Sequence, residues 1–253
     1  MEPLNFVERG QGPMLVLSHA LGLDMGMWDA VAALLETRFT VLRYDHRGHG
    51  HSPAANAPFS IDDLADDIAG LIRSRTDKPV FFAGISMGGM TAQALAVRSP
   101  ELLAGIVIAN SGAYYPDQAP WKTRVERVLS QGVESIADGA VDRWLTPGFR
   151  ATEEGEAMAA QLRATLIGTD AVSYAAACDA VAAIDFRESN RRIAIPTLVV
   201  AGTLDLATPP SMSEDIAATI PGAQLKTIAA AHISAAEKPA ELAALIESFM
   251  NQA

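Results

Sequence analysis

The chain has 253 residues, enough for one sizeable hydrophobic core with room for an insertion, and its 49% hydrophobic content excludes a disordered chain. A formal net charge of -11 argues against a nucleic-acid partner, whose phosphates it would repel, and requires that any anionic ligand be held by a local cation. The single cysteine, Cys178, excludes an internal disulfide and suits a reducing compartment; in its alanine-rich helical setting it reads as a packed thiol and not a nucleophile.

At the N-terminus, Met1-Glu2-Pro3-Leu4 does not read as a basic segment leading into an apolar one. No apolar run approaches the roughly 20 residues of a membrane helix, so a cytoplasmic protein with no membrane partner is expected. Short apolar runs rich in β-formers follow at Met14–Ser18, Thr40–Tyr44, Val80–Ala83 and Ile106–Ala109, and again much later at Thr197–Ala201 and Leu225–Ile228. Runs of this length suit strands buried on both faces. Helical patterns separate them at Trp28–Thr37, Ile61–Arg75, Gly88–Ser99, Ser211–Ile220 and Ala240–Asn251. Ser60 reads as the N-cap of the second helix, with Asp62 and Asp63 in its first turn, and Pro100 closes the third. The alternation predicts an α/β fold with a mostly parallel sheet and right-handed crossovers. It breaks between about Ala113 and Asn190, where the pattern is helical and punctuated by Pro116, Pro120, Pro147 and Gly148. Residues 113–190 therefore read as an inserted helical cap over a core formed by 1–112 and 191–253.

Gly84-Ile85-Ser86-Met87-Gly88 is a G-x-S-x-G pentapeptide placed between a predicted strand and a predicted helix. A serine on so sharp a turn has its hydroxyl pushed clear of the backbone, and small neighbours are needed because the turn leaves no room for side chains. A serine hydroxyl is a poor nucleophile at neutral pH and needs a base, which in turn needs an orienting carboxylate. On an open parallel sheet these groups belong just past the C-terminal ends of strands. Asp205 follows the strand run beginning at Thr197, and His232 follows the last predicted strand; both fit. Asp205 also reads as the N-cap of a turn into Thr208-Pro209-Pro210, a role compatible with orienting a base. Glu214 and Asp215 belong to the next helix and are weaker acids for the purpose. The oxyanion of a tetrahedral intermediate needs two backbone N–H donors. Met87, the residue after the nucleophile, is one, and Leu21 in the loop Ser18-His19-Ala20-Leu21-Gly22 is the other. The His19 ring is expected to hold this loop by hydrogen bonds. The loop Asp45-His46-Arg47-Gly48-His49-Gly50-His51-Ser52 carries three histidines and an aspartate, but without helical ligand spacing or a second cluster it reads as a glycine-rich turn and no metal is expected. The triad chemistry needs no cofactor.

Tyr44-Asp-His-Arg-Gly-His-Gly-His-Ser, Gly84-Ile-Ser-Met-Gly-Gly-Met and Gly202-Thr-Leu-Asp-Leu-Ala-Thr-Pro-Pro resemble the α/β-hydrolases, whose chain order of Ser, Asp, His matches Ser86, Asp205, His232. The cap phrases Ala137-Asp-Gly-Ala-Val-Asp-Arg-Trp-Leu-Thr-Pro-Gly-Phe and Tyr174-Ala-Ala-Ala-Cys-Asp-Ala-Val-Ala-Ala-Ile-Asp-Phe are similar to those of the 3-oxoadipate enol-lactonases. The resemblance implies an α/β-hydrolase fold, a Ser86–His232–Asp205 triad and opening of an enol-lactone through an acyl-enzyme. It also implies a substrate with a carboxylate arm, for which Arg124, Arg143 and Trp144 are the cap candidates and Trp28 a further pocket wall. Taken singly, Arg124, Arg143 and Trp144 read first as a solvated helix face and a core tryptophan, and Trp28 reads equally as a core residue. Where many α/β-hydrolases carry His-Gly at the oxyanion loop, this chain carries His19-Ala20. A general small-ester hydrolase or a cofactor-free perhydrolase would use the same triad, and a small-molecule receptor on the same scaffold is an alternative of another class. Oligomeric state is not legible.

Overall fold

Apolar runs too short for helices, set between helical segments, give a seven-stranded sheet in the computed structural model, which describes residues 3–55 and 57–252. Met1 and Glu2, in the segment on which the expectation of no signal peptide rests, lie outside the described residues. The strands are β1 (Phe6–Arg9), β2 (Met14–Ser18), β3 (Thr40–Tyr44), β4 (Val80–Ile85), β5 (Leu103–Ala109), β6 (Thr197–Gly202) and β7 (Gln224–Ile228). Their order across the sheet is β1-β3-β2-β4-β5-β6-β7. β1 runs antiparallel to β3 and every other pair is parallel. The central strands are buried on both faces, as β6 shows over its whole length. β7 differs from the expectation: its residues are exposed up to Ile228, because it is an edge strand with β6 as its one neighbour.

The helices are α1 (Asp29–Leu35), α2 (Ile61–Arg75), α3 (Met87–Arg98), α4 (Ala119–Gln131), α5 (Glu134–Trp144), α6 (Pro147–Arg150), α7 (Glu153–Gly168), α8 (Ala171–Ala182), α9 (Pro210–Thr219), α10 (Ser234–Glu237) and α11 (Pro239–Met250). α2 shows why they form where they do. Ser60 and Asp63 exchange hydrogen bonds in a capping box, with Ser60 N–H to Asp63 Oδ2 at 2.7 Å and Asp63 N–H to Ser60 Oγ at 3.2 Å. Leu64, Ile68 and Ile72, spaced four apart, are fully buried. Each contributes about 1.5–3 kcal/mol on the area scale.

Between β5 and β6 the chain leaves the sheet for the α4–α8 block, in which α4 packs on α8 and α5 on α7. The exit and return strands of this block are pinned together by an antiparallel bridge between Tyr114 and Asp185 and by the Phe186 N–H donating to the Ala113 carbonyl at 2.8 Å. Among the described residues, no helix is long and apolar enough to cross a membrane.

Parallel pairing brings the strand ends level with one another. Ser18 pairs beside Gly84, Ile85 beside Ala109, and Gly202 beside Ile228. The C-terminal ends of β2, β4, β5, β6 and β7 therefore lie side by side, and the loops that leave them share one edge of the sheet.

Candidate active site

The β4-to-α3 turn forces Ser86 into φ 56°, ψ -117°, a region that non-glycine residues rarely occupy. Such a conformation costs about 1–3 kcal/mol and survives only where its surroundings over-determine it. Here the Ser86 N–H donates to the carbonyls of Ala109 and Asn110, both at 3.1 Å, and the Ser86 carbonyl accepts from the Met90 N–H and from Ser111 Oγ. Glycines let the turn close. A Cβ on Gly84 would sit 2.1 Å from the Gly88 carbonyl oxygen, and one on Gly88 would sit 2.2 Å from that of Ser18.

Asp205 and His232 meet past the ends of β6 and β7, beyond β5 from the Ser86 turn. His232 Nδ1 donates to Asp205 Oδ2 at 2.9 Å, and both residues are buried. Asp205 is held from several sides: Oδ1 accepts from the Ala207 and Thr208 N–H groups at 2.8 and 2.9 Å, while Oδ2 also accepts from Thr208 Oγ1 at 2.8 Å and Asn110 Nδ2 at 3.0 Å. Burial alone would push this carboxyl up, but the His232 charge and the converging donors outweigh it and bring it down to about 2. The group is therefore an anion near pH 7.

The loop carrying His232 is fixed by residues the sequence does not single out. The Ala231 N–H donates to Glu237 Oε2 at 3.0 Å and the Ala231 carbonyl accepts from Asn110 Nδ2 at 3.1 Å. Ser234 Oγ donates to Asn110 Oδ1 at 2.7 Å. Glu237 also accepts from the N–H and hydroxyl of Thr146, and the Ile233 N–H donates to the Trp144 carbonyl, so the His232 loop is tied to the inserted helices as well. Among the described residues no hydrogen bond joins Ser86 Oγ to His232, yet both side chains line one cavity.

That cavity, of about 140 Å³, is walled by Leu21, Ser86, Thr208 and His232 from the sheet edge and by Tyr115, Trp121, Arg124, Arg143, Trp144 and Tyr174 from the inserted block. Leu21 and Met87 have backbone N–H groups that bond to no acceptor among the described residues. Arg124 lies over the Trp121 ring, 4.9 Å from its centroid. Neither Arg124 nor Arg143 forms a salt bridge among the described residues. Burial, then the neighbouring Arg124 charge, pulls the Arg143 guanidinium below its usual range. Two arginines with no salt-bridge partner among the described residues thus line one cavity. Trp28 is a correction: it does not line the cavity. It sits in a 3₁₀ turn, Met25–Trp28, that turns the indole into the core, where it is 1% exposed.

The histidine loop is structural in its bonding. His19 Nε2 accepts from the His46 N–H at 2.9 Å, which leaves Nδ1 to donate to the Ala20 carbonyl at 2.8 Å. His46 Nε2 bonds Ser18 Oγ, which bonds the Tyr44 hydroxyl. Burial lowers the His19, His46 and His49 rings, His49 to about 3, so all three are neutral near pH 7. Asp45 accepts from Asn5 Nδ2, the Met25 N–H and the His51 N–H, lashing this loop to its neighbours. No group of three or more His, Cys, Asp or Glu among the described residues is arranged to hold a metal ion.

A parallel sheet with a strained serine at a strand-to-helix turn, an Asp–His pair past later strands and helices inserted over that edge is the architecture of an α/β hydrolase. The family described as the alpha/beta hydrolase fold matches residues 13–239, and the chain belongs to it. Within it the chain stands with the ester- and lactone-cleaving hydrolases. It is 35% identical to 3-oxoadipate enol-lactonase 2 of Acinetobacter baylyi over 98% of this chain and 93% of that protein. The crystal structure of the enol-lactonase from Burkholderia xenovorans LB400 superposes with a TM-score of 0.94 at 34% identity, covering 98% of this chain and 96% of that one. A thermophilic esterase from Thermogutta terrifontis with malate bound gives a TM-score of 0.92 at 28% identity, covering 98% and 93%.

Proposed function

We propose that this protein is a serine hydrolase that opens a small carboxylated lactone, 3-oxoadipate enol-lactone to 3-oxoadipate, with Ser86 as nucleophile, His232 as general base and acid, and Asp205 as its orienting partner. The observation that carries the reading is the Asp205–His232 bond of 2.9 Å at a cavity that also holds the strained Ser86 and two arginines without carboxylate partners among the described residues. On this reading residues 113–190 act as the cap that brings the cations over the nucleophile.

Substrate binding closes the Ser86 Oγ to His232 Nε2 hydrogen bond, which is commonly long in a ligand-free site. Ser86 Oγ attacks the lactone carbonyl carbon as its proton passes to His232 Nε2. The oxyanion is met by the Leu21 and Met87 N–H groups, which have no competing acceptor among the described residues. Collapse breaks the ring C–O bond, and the departing enolate oxygen takes the proton from His232. The acyl group stays on Ser86 with the leaving group tethered to it. Water then gives a proton to His232, attacks the acyl carbon and releases the acid, returning the proton to Ser86. The freed enol becomes a ketone, which makes ring opening hard to reverse. Asp205 stays ionised throughout and stabilises the imidazolium.

The Arg124 and Arg143 pair supports a carboxylate-bearing substrate, and the malate held by the similar Thermogutta esterase is a ligand of that class. The enol-lactonases at 34–35% identity support the lactone itself. Side-by-side turnover of 3-oxoadipate enol-lactone and p-nitrophenyl acetate tests the reading. A far higher kcat/KM on the lactone is expected; preference for the neutral ester would make the protein a general esterase.

A further inference from the structure

Asn110 directly follows β5 in the left-handed region, at φ 46°, fully buried, and it touches the segments of all three proposed catalytic residues. Its carbonyl accepts the Ser86 N–H at 3.1 Å. Its amide Nδ2 donates to Asp205 Oδ2 at 3.0 Å and to the Ala231 carbonyl, next to His232, at 3.1 Å. Its Oδ1 accepts from Ser234 Oγ at 2.7 Å, and because the Asp205 carboxylate and the Ala231 carbonyl can only accept, Nδ2 is the end that faces them. Space is made for it by Gly202: a Cβ there would lie 2.4 Å from Asn110 Nδ2. A residue filling a gap has no need of a left-handed backbone and of side-chain bonds to the segments after both β6 and β7. The strain is maintained by that bonding.

We infer that Asn110 is a positioning residue for the hydrolytic reaction: its amide holds the Asp205 carboxylate and the His232 backbone in register, and its carbonyl anchors the Ser86 turn. The inference rests on the triad reading above. The Asn110 amide never touches substrate. It restricts which Asp205 oxygen faces the imidazole, since Oδ2 receives both the amide and His232 Nδ1. Loss of one such bond to a buried anion is expected to cost about tenfold to hundredfold in rate.

The test is the pH profile of kcat and kcat/KM on p-nitrophenyl acetate for the wild type, Asn110→Asp, Ser234→Ala and Ser86→Ala. Asn110→Asp keeps the shape, removes the donor and adds a carboxyl group beside Asp205. The expected result is a kcat lower by about tenfold to hundredfold, KM changed less than about threefold, and the acid limb of kcat/KM displaced by about one pH unit to higher pH, because added negative charge favours the imidazolium. A variant with the wild-type midpoint, its rate merely scaled down or unchanged, overturns the inference, since general loosening lowers activity without moving a titration. Should Asn110→Asp fail to fold, Ser234→Ala decides: with the amide's acceptor end released, a kcat several-fold lower at unchanged KM supports the inference and unchanged kcat overturns it. Failure of the triad reading is seen separately, as Ser86→Ala that turns over like the wild type.

Discussion

Replacing Arg143 by Met tests whether the inserted helices select a charged substrate. The structure frames the magnitude. Arg143 and Arg124 line the Ser86 cavity without a carboxylate partner among the described residues, in a protein whose formal net charge is -11. Arg143 is held against its own preference by burial and by the Arg124 charge, so an arriving carboxylate relieves a standing repulsion as well as gaining hydrogen bonds. A charge-assisted hydrogen bond of this kind contributes about 1.5–3 kcal/mol, or roughly tenfold to 150-fold in binding. Methionine keeps the apolar stem that packs against the cavity wall and removes the charge alone. The assay is steady-state kinetics on the enol-lactone and on p-nitrophenyl acetate at low and moderate ionic strength. KM for the lactone should rise within that range while kinetics on the neutral ester stay within about threefold. Arg124→Met should act in the same direction, and less than additively, because each variant relieves the remaining arginine. Equal losses on both substrates would refute the reasoning and return both arginines to a packing role.

Other outcomes rest on the same contacts. Gly88→Ala places a Cβ 2.2 Å from the Ser18 carbonyl oxygen, so backbone must move; a loss of several kcal/mol is expected, about 3 or more on the scale of strained core insertions, read as a fall in Tm. Glu237→Gln replaces an acceptor of the Ala231 N–H and of Thr146 by a group that accepts at one end only, and should cost about 1–3 kcal/mol in denaturant unfolding while lowering kcat through the freed His232 loop. Acid stability carries a sign. The Asp205 carboxyl is lowered from 3.8 to about 2 in the fold, so its contribution is complete above the unfolded value and disappears as pH falls towards the folded one. The stability difference between the wild type and Asp205→Asn should shrink by roughly 1 kcal/mol from pH 5 to pH 3, measured by urea unfolding; a difference that grows on acidification would contradict the assignment.

Buried parallel strands announce themselves, because both faces must be apolar: Met14–Ser18 and Thr40–Tyr44 are readable residue for residue. The strand-end positions of Ser86, Asp205 and His232 are readable for the same reason, since each follows such a run. β1 escapes because an antiparallel edge strand, half-buried and carrying Glu8 and Arg9, has no apolar signature. Trp28 misleads because nearness in sequence to the Ser18–Gly22 loop is not nearness in space once a 3₁₀ turn intervenes. Asn110, Ser234 and Glu237 are silent in the sequence: a buried polar side chain looks like a solvated one until the tertiary fold brings its partner from another strand end. Tyr174, on α8, reaches the cavity through the packing of the inserted helices, which helical periodicity alone does not orient, and Tyr115 reaches it from the segment before α4, which carries no periodic pattern.

The identity of the nucleophile is tested most directly by titrating the protein with a fluorophosphonate, following p-nitrophenyl acetate hydrolysis and mapping the adduct by peptide mass spectrometry. Activity should fall in step with the addition of one phosphonyl group, carried by the peptide that contains Ser86. Full phosphonylation with hydrolysis intact, or loss of activity with the adduct on a different residue, would contradict it.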